Sequence, residues 1–314
     1  MDEGPYRDVE GVWMHRIFRD ETIRSAIKYK PRPGDVFLVT YPKCGTNWAR
    51  FIVYNILNEA KQPTNFGEFN LMSPYLEMVG AAAAENPSKS GPIMTHLPPS
   101  VFRPVESAKY IYVARNPYDC AVSYYHFLKG LTPKSFTDVS FERFLSLFLS
   151  RKVLYGDYFD HLLPWYERRQ DANVLFLTYE QLKADTKKEV LRIADFLSEE
   201  HGASLRHNEA LLQKILDACS LENMKKFFKE KPIDKVKEVL EKAFQTSPES
   251  AKLPDSLREA NCEMHEGSGF VRKGIVGDWK NYFTPDQIRQ TKAWIARKTE
   301  GSTVMNLWSD IDLP

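Results

Sequence analysis

The sequence has no long apolar run, and nowhere does one reach the roughly 18 residues that a membrane-spanning helix needs. Its start, MDEGPYRDVEGVW, is acidic and lacks the basic beginning and the apolar stretch of a secretory signal. We therefore expect a cytoplasmic protein that has no membrane partner.

Cysteine is scarce as well. The four cysteines, Cys44, Cys120, Cys219 and Cys262, show neither a CxxC pair nor the Cys/His spacing of a zinc site. Scattered thiols of this kind are typical of a reduced, cytosolic protein. The histidines also lack metal-ligand spacing, so we expect no metal site.

An excess of positive charge is absent too, because 43 Lys and Arg residues face 42 Asp and Glu residues. A protein that coats nucleic acid needs a surplus of cations, so we expect no nucleic-acid partner. One local basic pocket is still compatible with this balance. The length of 314 residues allows one large α/β domain or two smaller ones.

Strand-like and helix-like segments alternate along the chain. Three short apolar runs are each followed by a stretch with helical character. The apolar runs are 35–41, 110–114 and 173–179, and the helical stretches are 46–58, 116 toward 129, and 186–197. This alternation predicts an α/β fold with a central, mostly parallel sheet flanked by helices, whose ligands bind at the carboxyl ends of the strands.

The first strand leads into the turn YPKCGTNW, which runs from Tyr41 to Trp48. Free N–H groups at the helix start, together with Lys43 and the Thr46 hydroxyl, can form an anion cradle. The turn differs from a Walker A loop because its lysine precedes Gly45 instead of following the last glycine. A plain turn with a solvated lysine is the alternative interpretation.

The second strand ends at Arg115, in the motif RNPYDCAVSYYHF. A guanidinium there can bind a phosphate through two parallel hydrogen bonds, and Ser123 lies on the helix that follows. The alternatives are a surface ion pair of Arg115 with Asp119 or another acid, and a plain helix serine at position 123. A third basic cluster, FVRKGIVGDWK, places Arg272 and Lys273 near glycines, although alone it reads as a charged surface turn. Two anion-type junctions in one sheet suggest a ligand with two separated phosphates.

A short strand ends at His96 in the motif MTHLP. An imidazole can accept a proton from a hydroxyl nucleophile near neutral pH, although a lone histidine is more often structural. Farther along, residues 225–269 combine a Lys- and Glu-rich helical pattern with a Ser-, Pro- and Glu-rich run. We interpret this segment as a surface helix with a loop, or as a lid over the active site.

Jointly, these motifs make the chain resemble the cytosolic sulfotransferase family. The resemblance rests on YPKCGTNW, MTHLP, RNPYDCAVSYYHF, the YE of LTYEQLK, SLENMKK and FVRKGIVGDWK, in order from Tyr41 to Trp279. Since dividing the chain would divide this site, we expect a single sulfotransferase domain over 1–314, with 225–269 as an extended lid or loop.

The resemblance implies a P-loop-like site for 3′-phosphoadenosine 5′-phosphosulfate (PAPS), with 3′-phosphoadenosine 5′-phosphate (PAP) as product and no metal. It implies His96 as the catalytic base and Lys43 as the group that supports the leaving phosphate. The implied donor-binding residues are Lys43, Cys44, Gly45, Thr46 and Asn47 along the phosphosulfate, Arg115, Ser123, Arg272, Lys273 and Gly274 at the 3′-phosphate, and Trp48, Tyr179, Ser220 and Met224 around the adenine.

The implied acceptor is a small hydroxyl compound such as a phenol, a phenolic amine or an alcohol. Met94 stands where many members of the family carry a lysine that helps to stabilise the sulfuryl group. A catalytically weak protein that binds PAPS or PAP is therefore an alternative. A phosphotransferase that uses a nucleoside triphosphate is a further alternative, less favoured because of the position of Lys43.

Other departures concern packing and assembly. Cys219 and Leu221 replace the usual threonine and phenylalanine against the adenine. In the family's dimer motif, Lys280 is followed here by Thr284-Pro285 and Arg289 instead of Thr-Val and a glutamate. Proline removes a backbone donor and arginine reverses a charge, which leaves homodimer formation open.

Overall fold

Four parallel strands form the main sheet in the computed structural model, which describes residues 6–131, 139–228 and 270–314. In chain order the strands are β1 (Tyr6–Val9), β2 (Val12–His15), β3 (Val36–Thr40), β4 (Ile93–Thr95), β5 (Lys109–Ala114) and β6 (Val174–Thr178). The first two pair as an antiparallel hairpin, and the others form the sheet in the order β4-β3-β5-β6. The neighbours of β3 lie on opposite sides of it, so its carboxyl end faces a crevice.

Helices surround this sheet. They are α1 (Asp20–Lys28), α2 (Thr46–Leu57), α3 (Phe66–Met72), α4 (Leu76–Val79), α5 (Ala81–Ala84), α6 (Pro117–Leu131), α7 (Phe141–Leu149), α8 (Tyr158–Glu167), α9 (Tyr179–Ala184), α10 (Thr186–Leu197), α11 (Glu199–His207), α12 (Glu209–Ala218), α13 (Leu221–Phe227) and α14 (Pro285–Lys298). Short 3₁₀ helices occupy Asp278–Asn281 and Val304–Trp308. The predicted α/β fold with a parallel central sheet is confirmed. In the three described stretches, every helix is too short or too polar to cross a bilayer.

The strands are buried because helices cover both of their faces. All five residues of β6 are buried, as are Tyr110 to Ala114 of β5. Aromatic rings pack on these strands. The ring of Tyr112 in β5 stacks on Trp165 of α8 at 5.5 Å and on Phe176 of the neighbouring strand β6 at 5.1 Å. A near-continuous apolar strand is typical of a parallel sheet covered on both faces, which explains why these runs were readable from sequence.

Two further expectations concern the lid and the altered dimer motif. The proposed lid lies almost entirely at 229–269, outside the described residues. The altered dimer motif does have a local structure, because Thr284 caps α14 in a capping box with Gln287, and Pro285 follows in the first turn. Both residue types are favoured at helix starts. Homodimer formation stays an open prediction.

A buried carboxylate ties the carboxyl ends of β5 and β6 together. Oε1 of Glu180 accepts hydrogen bonds from the backbone N–H of Asn116 at 3.0 Å and from its Nδ2 at 2.8 Å. Oε2 accepts from Nε1 of Trp308 at 2.9 Å, near the end of the chain. Removal of this side chain would leave several buried donors without an acceptor.

We therefore expect Glu180→Ala to lower the free energy of unfolding by about 3 kcal/mol, because buried charge-assisted hydrogen bonds are lost. Urea unfolding followed by circular dichroism measures this. Glu300→Ala removes an exposed glutamate and serves as the control. Equal unfolding midpoints for the two variants would show that the Glu180 network does not stabilise the fold.

Candidate functional site

A cavity lies at the carboxyl ends of β3, β4 and β5, where most of the predicted site residues meet. Its lining includes Lys43, Gly45, Thr46, Asn47, Trp48, His96, Arg115, Ser123, Tyr179, Met224, Arg272, Lys273 and Gly274. These residues come from segments distant in the sequence, as expected for ligand binding at one edge of a parallel sheet.

Two predicted donor-binding residues do not line the cavity. Cys44 is fully buried, with its Sγ 3.9 Å from that of Cys120. Ser220 caps α13, where its Oγ accepts from the backbone N–H of Asn223 at 3.3 Å. The structure thus uses one side chain in the core and the other as a helix cap, while Cys219 and Leu221 on either side of Ser220 do line the cavity.

The turn before α2 has the backbone geometry of an anion cradle. Lys43 and Gly45 have positive φ angles of 69° and 92°. Gly45 caps α2 without a side-chain hydrogen bond, so the first-turn N–H groups remain available to a ligand. A Cβ atom on Gly45 would lie 2.8 Å from Cδ2 of Tyr179, so glycine is required sterically as well as by its φ angle.

Lys43 is not the solvated lysine of the alternative interpretation. Its Nζ lies 4.3 Å from the centre of the Phe127 ring. Burial, aided by the positive charges of Arg115 and Arg272 and opposed by nearby thiols, lowers the pKa of Lys43 to about 7. A lysine whose pKa is depressed by burial and by other cations gains stability from a bound anion.

Arg115 connects the cradle to the basic segment near the C-terminus. Its Nη1 donates to the carbonyl oxygen of Lys43 at 3.3 Å, and its Nη2 donates to that of Ile275 at 3.2 Å. The guanidinium lies over the ring of Tyr179, 4.3 Å from its centre, and its buried Nε atom has no partner among the described residues. No carboxylate from the described stretches forms an ion pair with Arg115, so the alternative pairing with Asp119 is wrong.

Asp119 instead holds the basic segment in place. Its carboxylate accepts from the backbone N–H of Gly277 at 2.7 Å and of Trp279 at 3.0 Å. In that segment, Arg272 and Lys273 donate to the two oxygens of Asp278 at 2.6 and 2.8 Å.

Asp278 therefore forms ion pairs with two cations, Arg272 and Lys273. Burial raises the pKa of Asp278, but hydrogen bonds from Lys273, Asn281 and Arg272 outweigh it and lower the pKa to about 2. The buried Nε of Arg272 has no partner in the part of the chain that the structure describes. The segment thus offers net positive charge and an unused donor to the cavity.

Aromatic and apolar side chains form the far end of the cavity. Nε1 of Trp48 donates to the carbonyl oxygen of Cys219 at 2.9 Å, which ties α2 to the segment after α12. The Trp48 and Tyr179 rings meet edge to face at 5.7 Å, and Met224 lines the same region. Flat apolar walls of this kind suit an aromatic base.

His96 is positioned as a neutral base. Its Nδ1 lies 2.7 Å from the carbonyl oxygen of Thr40, which can only accept, so Nδ1 carries the proton. The backbone N–H of His96 donates to Oε1 of the buried Glu77 at 2.6 Å. Burial lowers the pKa of His96 to about 4, aided by the charges of Lys43 and Arg50 and opposed by the Thr40 hydrogen bond. At neutral pH the Nε2 lone pair is therefore free to accept a proton.

Aromatic rings enclose His96. The rings of Tyr75 and Tyr155 lie edge-on to it at 5.4 and 5.2 Å, and their hydroxyl groups are hydrogen-bonded to each other. Phe66, Tyr75 and Phe127 line the cavity. Tyr124 does not, because it is buried and its hydroxyl donates to the carbonyl oxygen of Leu154 at 2.6 Å.

Several residues that line the cavity were not predicted from the sequence. They are Ile17, Phe18, Arg50, Asn70, Met78, Leu154, Tyr155 and Lys183 among others. One signal was available, since Arg50 is a lone charge in the apolar helix sequence ARFIVYNIL, one turn after Thr46. Across the described parts of the chain, Asp and Glu are absent from the cavity lining, and no cluster of three or more His, Cys, Asp or Glu side chains could hold a metal.

Comparison with known protein families identifies the family to which this chain belongs. The family model for the sulfotransferase domain matches residues 33–303. The chain belongs to the sulfotransferase family. The family predicted from the motifs is thereby confirmed, and the chemistry of the family is sulfuryl transfer.

Curated relatives span nearly the whole sulfotransferase. Mouse Sulfotransferase 1B1 is 34% identical over 291 residues, which cover 88% of this chain and 86% of the mouse protein. Human Sulfotransferase 1C2 is 31% identical over 312 residues, which cover 95% of this chain and 94% of the human protein.

Solved structures agree with this sulfotransferase in fold. Mouse sulfotransferase SULT7A1 complexed with PAP superposes with a TM-score of 0.70 at 26% identity, over 98% of this chain and 99% of the mouse chain. Retinol dehydratase in complex with androsterone and PAP gives a TM-score of 0.68 at 20% identity, covering 99% of this chain and 92% of that chain, and supports the fold alone.

We expect Gly45→Ala to impair both folding and anion binding by this sulfotransferase. Gly34 has a similar φ of 86° but open space around the added Cβ, so Gly34→Ala is a matched control for backbone strain. Gly34→Ala should lower the free energy of unfolding by about 1–2 kcal/mol, and inorganic pyrophosphate should still stabilise this variant against heat. Gly45→Ala should lower the free energy of unfolding by more, and pyrophosphate should no longer stabilise it.

Differential scanning fluorimetry with and without pyrophosphate makes this comparison. Identical behaviour of the two variants would contradict the role assigned to the Gly45 turn.

Proposed function

We propose that this sulfotransferase transfers the sulfuryl group of PAPS to a hydroxyl group of a small acceptor. The observation that carries the proposal is one cavity that joins an anion cradle, two guanidinium groups whose buried Nε atoms have no partner among the described residues, and a neutral imidazole base. The mouse structure that this chain resembles contains PAP, the product that such a donor leaves.

The donor would be bound as a polyanion. PAPS carries roughly four negative charges, counting up to two on its terminal phosphate. The 5′ part would lie on the cradle of Lys43, Gly45, Thr46 and Asn47, where helix N–H groups favour anions. The adenine would lie between Trp48 and Tyr179, near Met224.

Arg115 and Arg272 would bind the 3′-phosphate. Within the described ranges, each has a buried Nε without a partner, which a phosphate oxygen would satisfy. Ser123, Lys273 and Gly274 line the same cavity. The residues present therefore suit the second phosphate that distinguishes PAPS from ordinary nucleotides.

The reaction needs one proton acceptor and one cation at the leaving group. The acceptor hydroxyl would give its proton to Nε2 of His96 while its oxygen forms the new bond to sulfur. The bond between sulfur and the bridging oxygen breaks, and its electron pair stays on the phosphate of PAP. Lys43 would stabilise that developing charge. The remaining contribution of the site is to align the two oxygens with sulfur.

The cavity fits phosphoryl transfer from a magnesium nucleotide less well. Mg²⁺ sites use carboxylate oxygens, and the described residues put none in the lining. The other alternative is a catalytically weak protein that binds PAPS or PAP. It rests on Met94, which lines the cavity and stands where many members of the family carry a lysine. Turnover measurements separate it from the proposal.

The proposal is tested with sulfur-35-labelled PAPS, a panel of simple phenols, and calorimetry with PAP. We expect labelled product and PAP in equal amounts. His96→Ala should reduce kcat by about 100-fold or more, because the base is lost, while the dissociation constant of PAP stays unchanged. Arg272→Ala should weaken PAP binding by about tenfold or more, because a charge-assisted phosphate contact is lost.

Arg206→Ala is the control, because it removes an arginine from an exposed ion pair with Asp195. It should change neither quantity. The reverse pattern for His96 and Arg272 would overturn the assigned roles. Tight PAP binding without transfer to any phenol would favour the binding protein over the enzyme.

A further inference from the structure

One buried cation lies on the acceptor side of the cavity and has no part in the donor site proposed above. Arg50 is 1% exposed and lines the cavity together with Met94 and His96. Burial lowers the pKa of Arg50 to about 9, which leaves it charged at neutral pH. Within the described ranges, no carboxylate forms an ion pair with it.

Neutral groups hold the guanidinium in one orientation. Nε of Arg50 donates to Oγ of Ser73 at 2.9 Å, and Nη2 donates to Oδ1 of Asn70 at 2.9 Å. Its Cζ lies 4.2 Å from the centre of the Phe69 ring. Nη1 takes no acceptor from the residues that the structure describes.

The supporting groups are themselves fixed. The hydroxyl of Ser73 donates to the carbonyl oxygen of Pro92 at 2.5 Å, and Nδ2 of Asn70 donates to that of Phe66 at 2.9 Å. Ser73 and Asn70 therefore present their acceptor oxygens to Arg50. This arrangement orients a positive charge without neutralising it. A buried charge without a counter-charge is costly, so a ligand anion would stabilise it strongly.

Arg50 lies on the same face of α2 as Thr46, one turn farther from the cradle. Oγ1 of Thr46 is 2.7 Å from Oγ1 of Thr40, which is 3.1 Å from Nδ1 of His96. Arg50 and His96 line the same cavity, and the charge of Arg50 contributes to the lowered pKa of His96. Around both lie apolar walls that include Phe18, Tyr75, Met78 and Tyr155.

We infer that the acceptor carries an anionic group, such as a carboxylate, several ångströms from its reacting hydroxyl, and that Arg50 binds this group. The inference rests on the proposed sulfuryl transfer and narrows its acceptor class. The cavity lining also contains cations but, among the described residues, no acid that could bind an ammonium group. Phenolic acids therefore fit this site better than phenolic amines do.

The test compares kcat/KM for three acceptors of similar shape: 3-(4-hydroxyphenyl)propionate, its methyl ester and tyramine. The wild-type protein should prefer the acid over the ester by about tenfold or more, because a charge-assisted bidentate bond is gained, with tyramine poorest. The wild-type comparison needs no variant and is independent of any folding defect.

Arg50→Met removes the charge but keeps an apolar stem, and it should abolish the preference for the acid while the ester reacts at an unchanged rate. Arg50→Lys should retain part of the preference. Lys183→Met removes another lining cation, whose Nζ lies 5.8 Å from the centre of the Trp48 ring, and should leave the acid-to-ester ratio unchanged. PAP binding by calorimetry confirms that each variant is folded.

Equal kcat/KM for acid and ester in the wild-type protein would overturn the inference and leave the sulfotransferase proposal intact. An equal loss for both acceptors in Arg50→Met would also overturn it, since Arg50 would then serve the transferred group or the fold. Absence of transfer to every acceptor would overturn the proposed function together with this inference.

Discussion

An excess of positive charge over carboxylates, held at the carboxyl edge of a parallel sheet, is the constraint on which the rest of the site depends. Arg115 and Arg272 each keep a buried Nε that no described residue pairs with, and burial depresses the pKa of Lys43 to about 7. The nearly neutral whole chain conceals this concentration. Acids such as Asp119 and Asp278 lie behind the cavity lining and hold the basic segment in position. A polyanionic ligand relieves the repulsion among these cations.

The same cations shape the chemistry beside them. Burial together with the charges of Lys43 and Arg50 keeps His96 neutral, and the Thr40 carbonyl fixes the proton on Nδ1. A base that is unprotonated at neutral pH can accept the proton of a hydroxyl group. The electrostatic field that would bind the donor thus also prepares the acceptor side. Met94 removes one expected cation from this field, while Arg50 introduces another that the family motifs did not predict.

The fold and the cradle were largely predictable because their signals are local. Apolar runs predicted β3, β5 and β6 to within a residue or two, and the turn between β3 and α2 was recognisable as a possible anion cradle. Arg50 and Tyr155 were missed because their positions depend on contacts with distant segments. Arg50 is oriented by Ser73 and Asn70, and Tyr155 reaches His96 from a turn far along the chain. Spacing in the sequence carries no record of such contacts.

The central claim is that these cations recognise a nucleotide with phosphates at both the 3′ and the 5′ positions. Isothermal titration calorimetry of PAP against adenosine 5′-monophosphate, which lacks only the 3′-phosphate, tests it most directly. PAP should bind about 100-fold more tightly or better, because charge-assisted hydrogen bonds from Arg115 and Arg272 are lost with that phosphate. Equal dissociation constants for the two nucleotides would contradict the account.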